Sequence, residues 1–221
     1  MLTPGSAFAG RTFDAVLFDM DGTLISSIAA VDRSWSQWAG EHGFDPVTFR
    51  ISHGTPARTL VEQLLPAEAV DAAIARINEI EIADVDGVLL LPGAAEILAA
   101  LPPTRVAIVT SCTRDLAHAR IAAAGIAVPD VVVTADDVER GKPDPEPFAL
   151  GASRLGLDPS RCLVVEDAPA GLASGRAAGC ATLAVSGTHE LDLLEADAHA
   201  GSVADLAVVV AADGTLTIVD L

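Results

Sequence analysis

A single lysine, Lys142, stands against twelve arginines in this chain of 221 residues, and basic residues of both kinds number only 13 against 31 acidic ones. The resulting net charge of −18 argues against nucleic acid and anionic membrane as partners, because binding to either rests on clustered Lys and Arg. Cysteine is scarce as well. Cys112, Cys162 and Cys180 are odd in number and lack metal-ligand spacing, which reads as free thiols in a reducing compartment. Long apolar runs are missing too. The run 88–91 stops at Pro92, far short of the ~20 residues that a membrane-spanning helix needs. Residues 1–13 are mixed and interrupted by Pro4 and Gly5, unlike a secretory signal. The expectation is a cytoplasmic protein without nucleic-acid or membrane partners.

What the chain does have is apolar residues, 51% of the total, enough for a sizeable core. Strand-like apolar runs occur at 16–18, 106–109, 131–133, 163–165 and 181–185, with Ala-rich helical stretches at 94–100, 116–124, 147–155 and 170–178. Alternation of this kind predicts a parallel sheet covered on both faces by helices. Gly125, Gly156 and Gly179 fall where these helices should end. The stretch 26–91 breaks the pattern and has helical periodicity only. Ile28, Val31, Trp35 and Trp38 share one helix face, and further helices fit 59–65, 68–81 and 48–51. The fold class is therefore α/β, a Rossmann-like parallel sheet core with a helical domain inserted after the first strand. Its boundaries are 1–25 and 92–221 for the core and 26–91 for the insert.

Four groups of residues carry the chemistry, and each lies at or beyond the carboxyl end of a strand or on a nearby loop, where open α/β sheets bind ligands. The first is Asp19 with Asp21, inside Phe18-Asp19-Met20-Asp21-Gly22-Thr23-Leu24. Burying two carboxylates is costly unless they are paired or bind a metal. The same Asp-Gly-Thr-Leu string recurs at Asp213 to Leu216, but there the position of the first acid is Ala211, and Asp-Gly between apolar runs reads as a hairpin turn. The second group is Thr110-Ser111-Cys112-Thr113, before a helix. Hydroxyl and backbone N–H groups there bind phosphate oxygens, although Ser111 or Thr113 as a simple helix cap fits the same residues. Cys112 as a nucleophile is excluded by the missing Cys-x5-Arg pattern, since position 118 is a histidine. The third is Gly141-Lys142-Pro143-Asp144-Pro145, which places the lone lysine on a stiff loop. The fourth is Glu166-Asp167-Ala168-Pro169-Ala170-Gly171. Its acids suit a hard cation such as Mg²⁺, with Asp167 as a helix cap a compatible second role.

These four motifs, in this order, resemble those of the haloacid-dehalogenase-like superfamily of aspartyl-phosphate phosphatases. Leu24-Ile25-Ser26-Ser27, Ile51-Ser52-His53-Gly54, Thr110 to Asp115, Thr134 to Val138 and Gly141 to Pro147 narrow the resemblance to its glycerol phosphatase and 2-deoxyglucose-6-phosphatase group. The resemblance implies a Mg²⁺-dependent phosphatase acting on a small sugar or polyol monophosphate. Asp19 would be the nucleophile and Asp21 the acid and base. Ser111 and the Cys112 amide would hold the phosphoryl group beside Lys142. Asp19, Asp21 (through its carbonyl), Asp167 and Glu166 would hold the metal. In a chain this acidic, Lys142 and the metal are the candidates for reversing the charge locally. The insert would close as a lid, with His53, Gly54, Arg58 and Trp35 as substrate contacts. The partner is a small phosphate ester, and the protein a monomer or weak dimer.

Three relatives in the superfamily frame the alternatives. A dehalogenase would lack Asp21. A phosphonate hydrolase needs a lysine in the insert, and none is there. A sugar phosphomutase shares all four motifs but places a histidine in the first insert helix, where Val31 stands. A non-catalytic phosphate-ligand binding protein is the reading from another class, and the intact set of acids argues against it.

Overall fold

The computed structural model describes residues 1–51 and 57–221. Chain order runs α1 (Pro4–Ala7), β1 (Ala15–Phe18), β2 (Ile25–Ser26), α2 (Ile28–Glu41), α3 (Ala57–Leu64), α4 (Ala67–Ala83) and β3 (Leu89–Leu90). It continues through α5 (Ala94–Ala100), β4 (Val106–Val109), α6 (Arg114–Ala124), β5 (Val131–Val133), α7 (Glu146–Arg154), β6 (Cys162–Glu166) and α8 (Pro169–Ala177). The last elements are β7 (Ala181–Val185), β8 (Ala198–Ala200), β9 (Leu206–Val210) and β10 (Leu216–Asp220).

Six strands form one parallel sheet in the order β5-β4-β1-β6-β7-β8. From β1 the chain builds outward to β4 and β5, then crosses back to lay β6 on the other flank of β1. That reversal opens a crevice at the carboxyl ends of β4, β1 and β6, the site expected for a ligand in a doubly wound sheet. The strand β1 is buried throughout, and side chains alternate between two layers. Val16 and Phe18 join Val106, Ile108, Leu163 and Val165 on one face. Ala15 and Leu17 join Ala107, Val109, Val164 and Phe148 on the other. Gly125, Gly156 and Gly179 follow the ends of α6, α7 and α8 with φ of +70°, +73° and +88°, a left-handed turn that only glycine adopts freely.

The helical stretch forms its own apolar cluster around Trp35, Trp38, Val61, Val70 and Ile77. Its root is a short ribbon in which Ile25 pairs Leu90 and Ser26 pairs Leu89, so the chain leaves and re-enters the sheet core at one place. Residues 48–51, expected as a helix, form no helix. Asp45 accepts hydrogen bonds from the Val47 amide (2.9 Å) and the Thr48 hydroxyl (3.0 Å), which fixes a turn there instead. The strands β9 and β10 form the antiparallel hairpin expected around Asp213, whose carboxylate accepts from Thr215 N at 3.0 Å and Oγ1 at 2.7 Å. Among the described residues, no helix is long and apolar enough to cross a membrane.

Trp38 is fully buried and its indole N–H donates to the Ala73 carbonyl at 3.0 Å, joining α2 to α4. Replacing it with alanine is expected to destabilise the insert by about 3–5 kcal/mol. Urea unfolding followed by the fluorescence of the remaining Trp35 measures this, and a loss below about 1 kcal/mol would contradict the packing described.

Candidate active site

Three strand ends meet at the ammonium of Lys142. Its Nζ donates to Asp19 Oδ1 (2.6 Å) beyond β1, to the Val109 carbonyl (2.9 Å) at the end of β4, and to Glu166 Oε1 (2.9 Å) at the end of β6. An ammonium has three N–H donors, and here all three are used. Lys142, Asp19 and Glu166 are all buried. Burial alone would lower the lysine pKa, but the charges of Asp19 and Glu166 outweigh it and hold Lys142 above its ordinary value. Burial drives the carboxyls of Asp19 and Glu166 upward, with Lys142 opposing.

Glu166 is committed on both sides. Its Oε2 accepts the backbone amides of Asp167 (2.8 Å) and Ala168 (2.7 Å) while Oε1 holds Lys142. A Cβ at Gly171, in α8, would lie 1.6 Å from Glu166 Oε1, so only a glycine lets the helix pass that close. Asp167 is pushed up to about 6, first by burial and then by the Asp19 charge. Its Oδ2 accepts from Thr188, both the amide (2.7 Å) and the hydroxyl (2.6 Å). Gly22 adopts φ +91° against Asp167 Oδ2, at a distance where a Cβ would overlap it. Ligand oxygens of Asp19, Glu166 and Asp167 lie within 4.8 Å of one another. Among the described residues, Asp19 Oδ2 and Asp167 Oδ1 have no hydrogen-bond donor. This oxygen-only set has the donor chemistry that a hard cation takes.

Asp21 faces different partners. Its Oδ1 accepts from Ser27 Oγ (2.6 Å) and Arg120 Nη1 (2.9 Å), and its Oδ2 from the Cys112 thiol (3.2 Å). Burial pushes that thiol well above its usual pKa, so it remains a protonated donor. The Cys112 amide donates to Thr110 Oγ1 at 3.1 Å. Neither Ser111 nor Thr113 caps α6 with its side chain. The Arg114 amide is instead taken by Asp136 Oδ2 at 2.8 Å. Ser111 is thus an exposed hydroxyl at the mouth of the crevice. Nor does Asp167 cap α8, whose N-cap is Ala168.

Above these groups lies a cavity of about 360 Å³, floored by Asp19, Ser111, Lys142 and Asp167 and walled by residues of the insert. Trp35 is among the lining residues, and the exposed Arg58 sits at the rim, where it pairs with Asp71 at 2.9 Å and Glu62 at 3.6 Å. His53 and Gly54 lie outside the described residues. Among the polar residues that touch this site, Asn78, Glu81, Arg120 and Thr188 were not picked out from the sequence, and Ser27 appeared only within a motif, without a role. Thr188 follows an apolar strand, and the strand-end rule that found Asp19 would have found it. Arg120 and Glu81 each interrupt the apolar stripe of a helix, beside Leu116, Ala117 and Ile121 in α6 and beside Ile77 and Ile80 in α4.

A doubly wound sheet with an acid-lined crevice at its reversal point, overhung by helices inserted after the first strand, defines a haloacid dehalogenase-like hydrolase. The description of that family matches residues 13–179, and the chain belongs to it. Hexitol phosphatase A of Escherichia coli (strain K12) is 44% identical over 176 residues, covering 77% of this chain and 82% of that protein. Glycerol-1-phosphate phosphohydrolase 2 of Saccharomyces cerevisiae is 35% identical over 195 residues, covering 82% and 78%. The crystal structure of β-phosphoglucomutase from Clostridium difficile superposes with a TM-score of 0.72 over 87% of this chain and 92% of that one. At 19% identity it shows a shared fold alone.

Because Glu166 Oε1 fills the space beside Gly171, Gly171→Ala is expected to displace Glu166 from Lys142. A fall in Tm of about 2–4 °C or more, the range for each kcal/mol lost in a protein of this size, would register the displacement. An unchanged Tm would mean that the contact is not held in solution.

Proposed function

We propose that the protein is a Mg²⁺-dependent phosphatase of small sugar or polyol monophosphates that works through an aspartyl-phosphate intermediate. The observation that carries the reading is the asymmetry of Asp19. One of its oxygens is pinned by Lys142 at 2.6 Å while the other faces the cavity floor without a donor. A carboxylate oriented this way presents one oxygen for in-line attack on phosphorus. As the bond from Asp19 to phosphorus forms and the ester P–O bond breaks, Asp21 gives its proton to the departing alkoxide. Asp21 then takes a proton from the water that cleaves the acyl phosphate and restores Asp19. Ser111 binds a phosphoryl oxygen through its free hydroxyl, and the Cys112 amide joins it by exchanging Thr110 Oγ1 for a second one. Lys142 balances the charge of Asp19 and of the phosphoryl group.

Asp19 and Asp167, with the Asp21 carbonyl, are the residues that would hold the metal, and Glu166 supports them from behind through Lys142 and two backbone amides. When bound, Mg²⁺ supplies positive charge to the phosphoryl oxygens. Residues 26–91 act as the lid, and its wall of Trp35, Val31 and Ile28 with Arg58 at the rim meets the alcohol part of the substrate. The position of Val31 at the cavity and the absence of lysine from the insert favour hydrolysis over phosphoryl transfer between sugar hydroxyls. The named activities of the two relatives, on hexitol and glycerol phosphates, support the substrate class.

A panel of sugar and polyol phosphates assayed with Mg²⁺ tests the reading. Turnover is expected to be lost in Asp19→Asn, with the fold retained, and to vanish on treatment with EDTA. Full activity in either case would refute the assignment.

Lys142→Arg is expected to lower kcat/KM by about 10²–10³, the usual cost of removing one fixed electrostatic contact. A planar guanidinium does not meet three acceptors converging on a point as an ammonium does. An arginine variant within a few-fold of wild type would show that charge alone suffices there.

A further inference from the structure

Outside the catalytic set, the described residues hold one buried ionic bridge between the insert and the core. Arg120 of α6 and Glu81 of α4 are 5% and 7% exposed. Arg120 Nη2 donates to Glu81 Oε1 at 3.1 Å, and its Nη1 donates to Asp21 Oδ1 at 2.9 Å and to Cys112 Sγ at 3.3 Å. One guanidinium thus spans two carboxylates that belong to separate parts of the chain. A planar fork with its donors fixed in relation to one another can do this, and it transmits the position of one partner to the other. The second donor to Asp21 Oδ1, Ser27, precedes α2. Asp21 is therefore gripped from both ends of the insert, by the residue that opens its first helix and, through Arg120, by the last turn of α4. In the chain the ribbon of β2 and β3, at which the insert is rooted, flanks the two grips, with β2 just before Ser27 and β3 after Glu81.

We propose that Arg120 is a positioning residue that aims the Asp21 carboxyl at the leaving oxygen, and that Glu81 holds Arg120 in that pose, making the insert part of the acid's support. The proposal rests on the reading of Asp21 as the acid. Arg120 acts through Asp21 and does not hold the phosphoryl group. Although Arg120 lines the cavity, its Nη1 is committed to Asp21 and Cys112 and its Nη2 to Glu81, whereas the hydroxyl of Ser111 is uncommitted and Lys142 already holds Asp19. A consequence follows from the chemistry of the first step. An alkoxide must receive the Asp21 proton as its bond to phosphorus breaks, whereas p-nitrophenolate departs as an anion without it. A misaimed acid therefore slows cleavage of an alkyl ester and spares an aryl one.

The test compares kcat/KM for glycerol 1-phosphate and p-nitrophenyl phosphate, with Mg²⁺ present, in wild type, Arg120→Gln and Glu81→Gln. For Arg120→Gln, glycerol 1-phosphate is expected to lose about 10²-fold, the low end of what a positioned acid contributes, while p-nitrophenyl phosphate changes a few-fold. Glu81→Gln keeps the shape and one acceptor oxygen, so its effect is expected in the same direction and smaller. Should Arg120→Gln fail to fold, Glu81→Gln decides by the ratio of the two losses. A parallel loss on both esters, a rise in KM shared by both, or no loss in a folded variant would overturn the positioning role while leaving the phosphatase reading intact. If the wild type turns over neither ester, or Asp19→Asn retains turnover, the phosphatase reading fails and this inference falls with it.

Discussion

The ammonium of Lys142 is the tie on which the site depends. It joins the carboxyl ends of three adjacent strands by hydrogen bonds of 2.6 to 2.9 Å to Asp19, Val109 and Glu166. The sheet order places β4, β1 and β6 side by side, but the parallel ladders end near their last residues, and the side-chain contacts beyond them, such as that of the Cys112 thiol with Asp21, join the loops only in pairs. A buried cation with all its donors used supplies the missing cross-link. The lone lysine of an arginine-rich chain therefore has a geometric reason to be lysine. Its acceptors converge from three directions on one nitrogen, and its stem packs where the Phe148 ring centroid lies 4.9 Å from the charge. Such a burial is stable because the ion is paired and fully hydrogen-bonded.

The arrangement of the acids follows from that tie. Glu166 faces Lys142 and two amides, Asp167 is fixed by Thr188, and Asp19 keeps one oxygen toward the cavity. Asp21, only two residues from Asp19, belongs to a different neighbourhood, because the turn at Gly22 directs it toward Ser27, Cys112 and Arg120. Two carboxylates from one short loop are thus placed in unlike surroundings, one against the sheet core and one against the root of the insert. That separation is what a division of labour between nucleophile and acid needs.

The sheet core was legible in the sequence because its strands are short apolar runs ended by turn residues, and β4, β5 and β7 match the expected ranges residue for residue. The edge strand β8 was not legible, since Ala198-His199-Ala200 is too short and too weakly apolar to signal a strand without its neighbour β7. The expected helix at 48–51 yielded to the Asp45 turn, a local side-chain contact that periodicity does not register. In the site, the acids and the lysine stood out because charged residues at the ends of apolar strands are anomalous. Arg120 and Glu81 carry the same kind of anomaly within helices, where a single polar residue on an apolar stripe looks like tolerance until its partner on another helix is known. Ser27 carries no such anomaly, and its contact with Asp21 alone gives it a role, whereas Thr188 lies just beyond β7, within reach of the strand-end rule.

Charge balance argues for the proposed cation beyond those in the chain. Among the described residues around the cavity floor, the carboxylates of Asp19, Asp21, Glu81, Glu166 and Asp167 meet two buried cations, Lys142 and Arg120, with Arg58 at the rim paired elsewhere. Each of these cations is already shared between two acids. The consequence is visible in Asp167, which burial and the charge of Asp19 push up to about 6 despite two hydrogen bonds from Thr188 that favour its ionised form. A phosphate ester would bring further negative charge to this floor, on a protein whose net charge is already −18. Hydrogen bonds from Ser111 and a backbone amide cannot offset that excess, because they carry no net charge. The open oxygens of Asp19 and Asp167 are where a divalent cation would offset it, and the proposed Mg²⁺, when bound there, would supply the charge that an anionic ester needs to enter an acidic site.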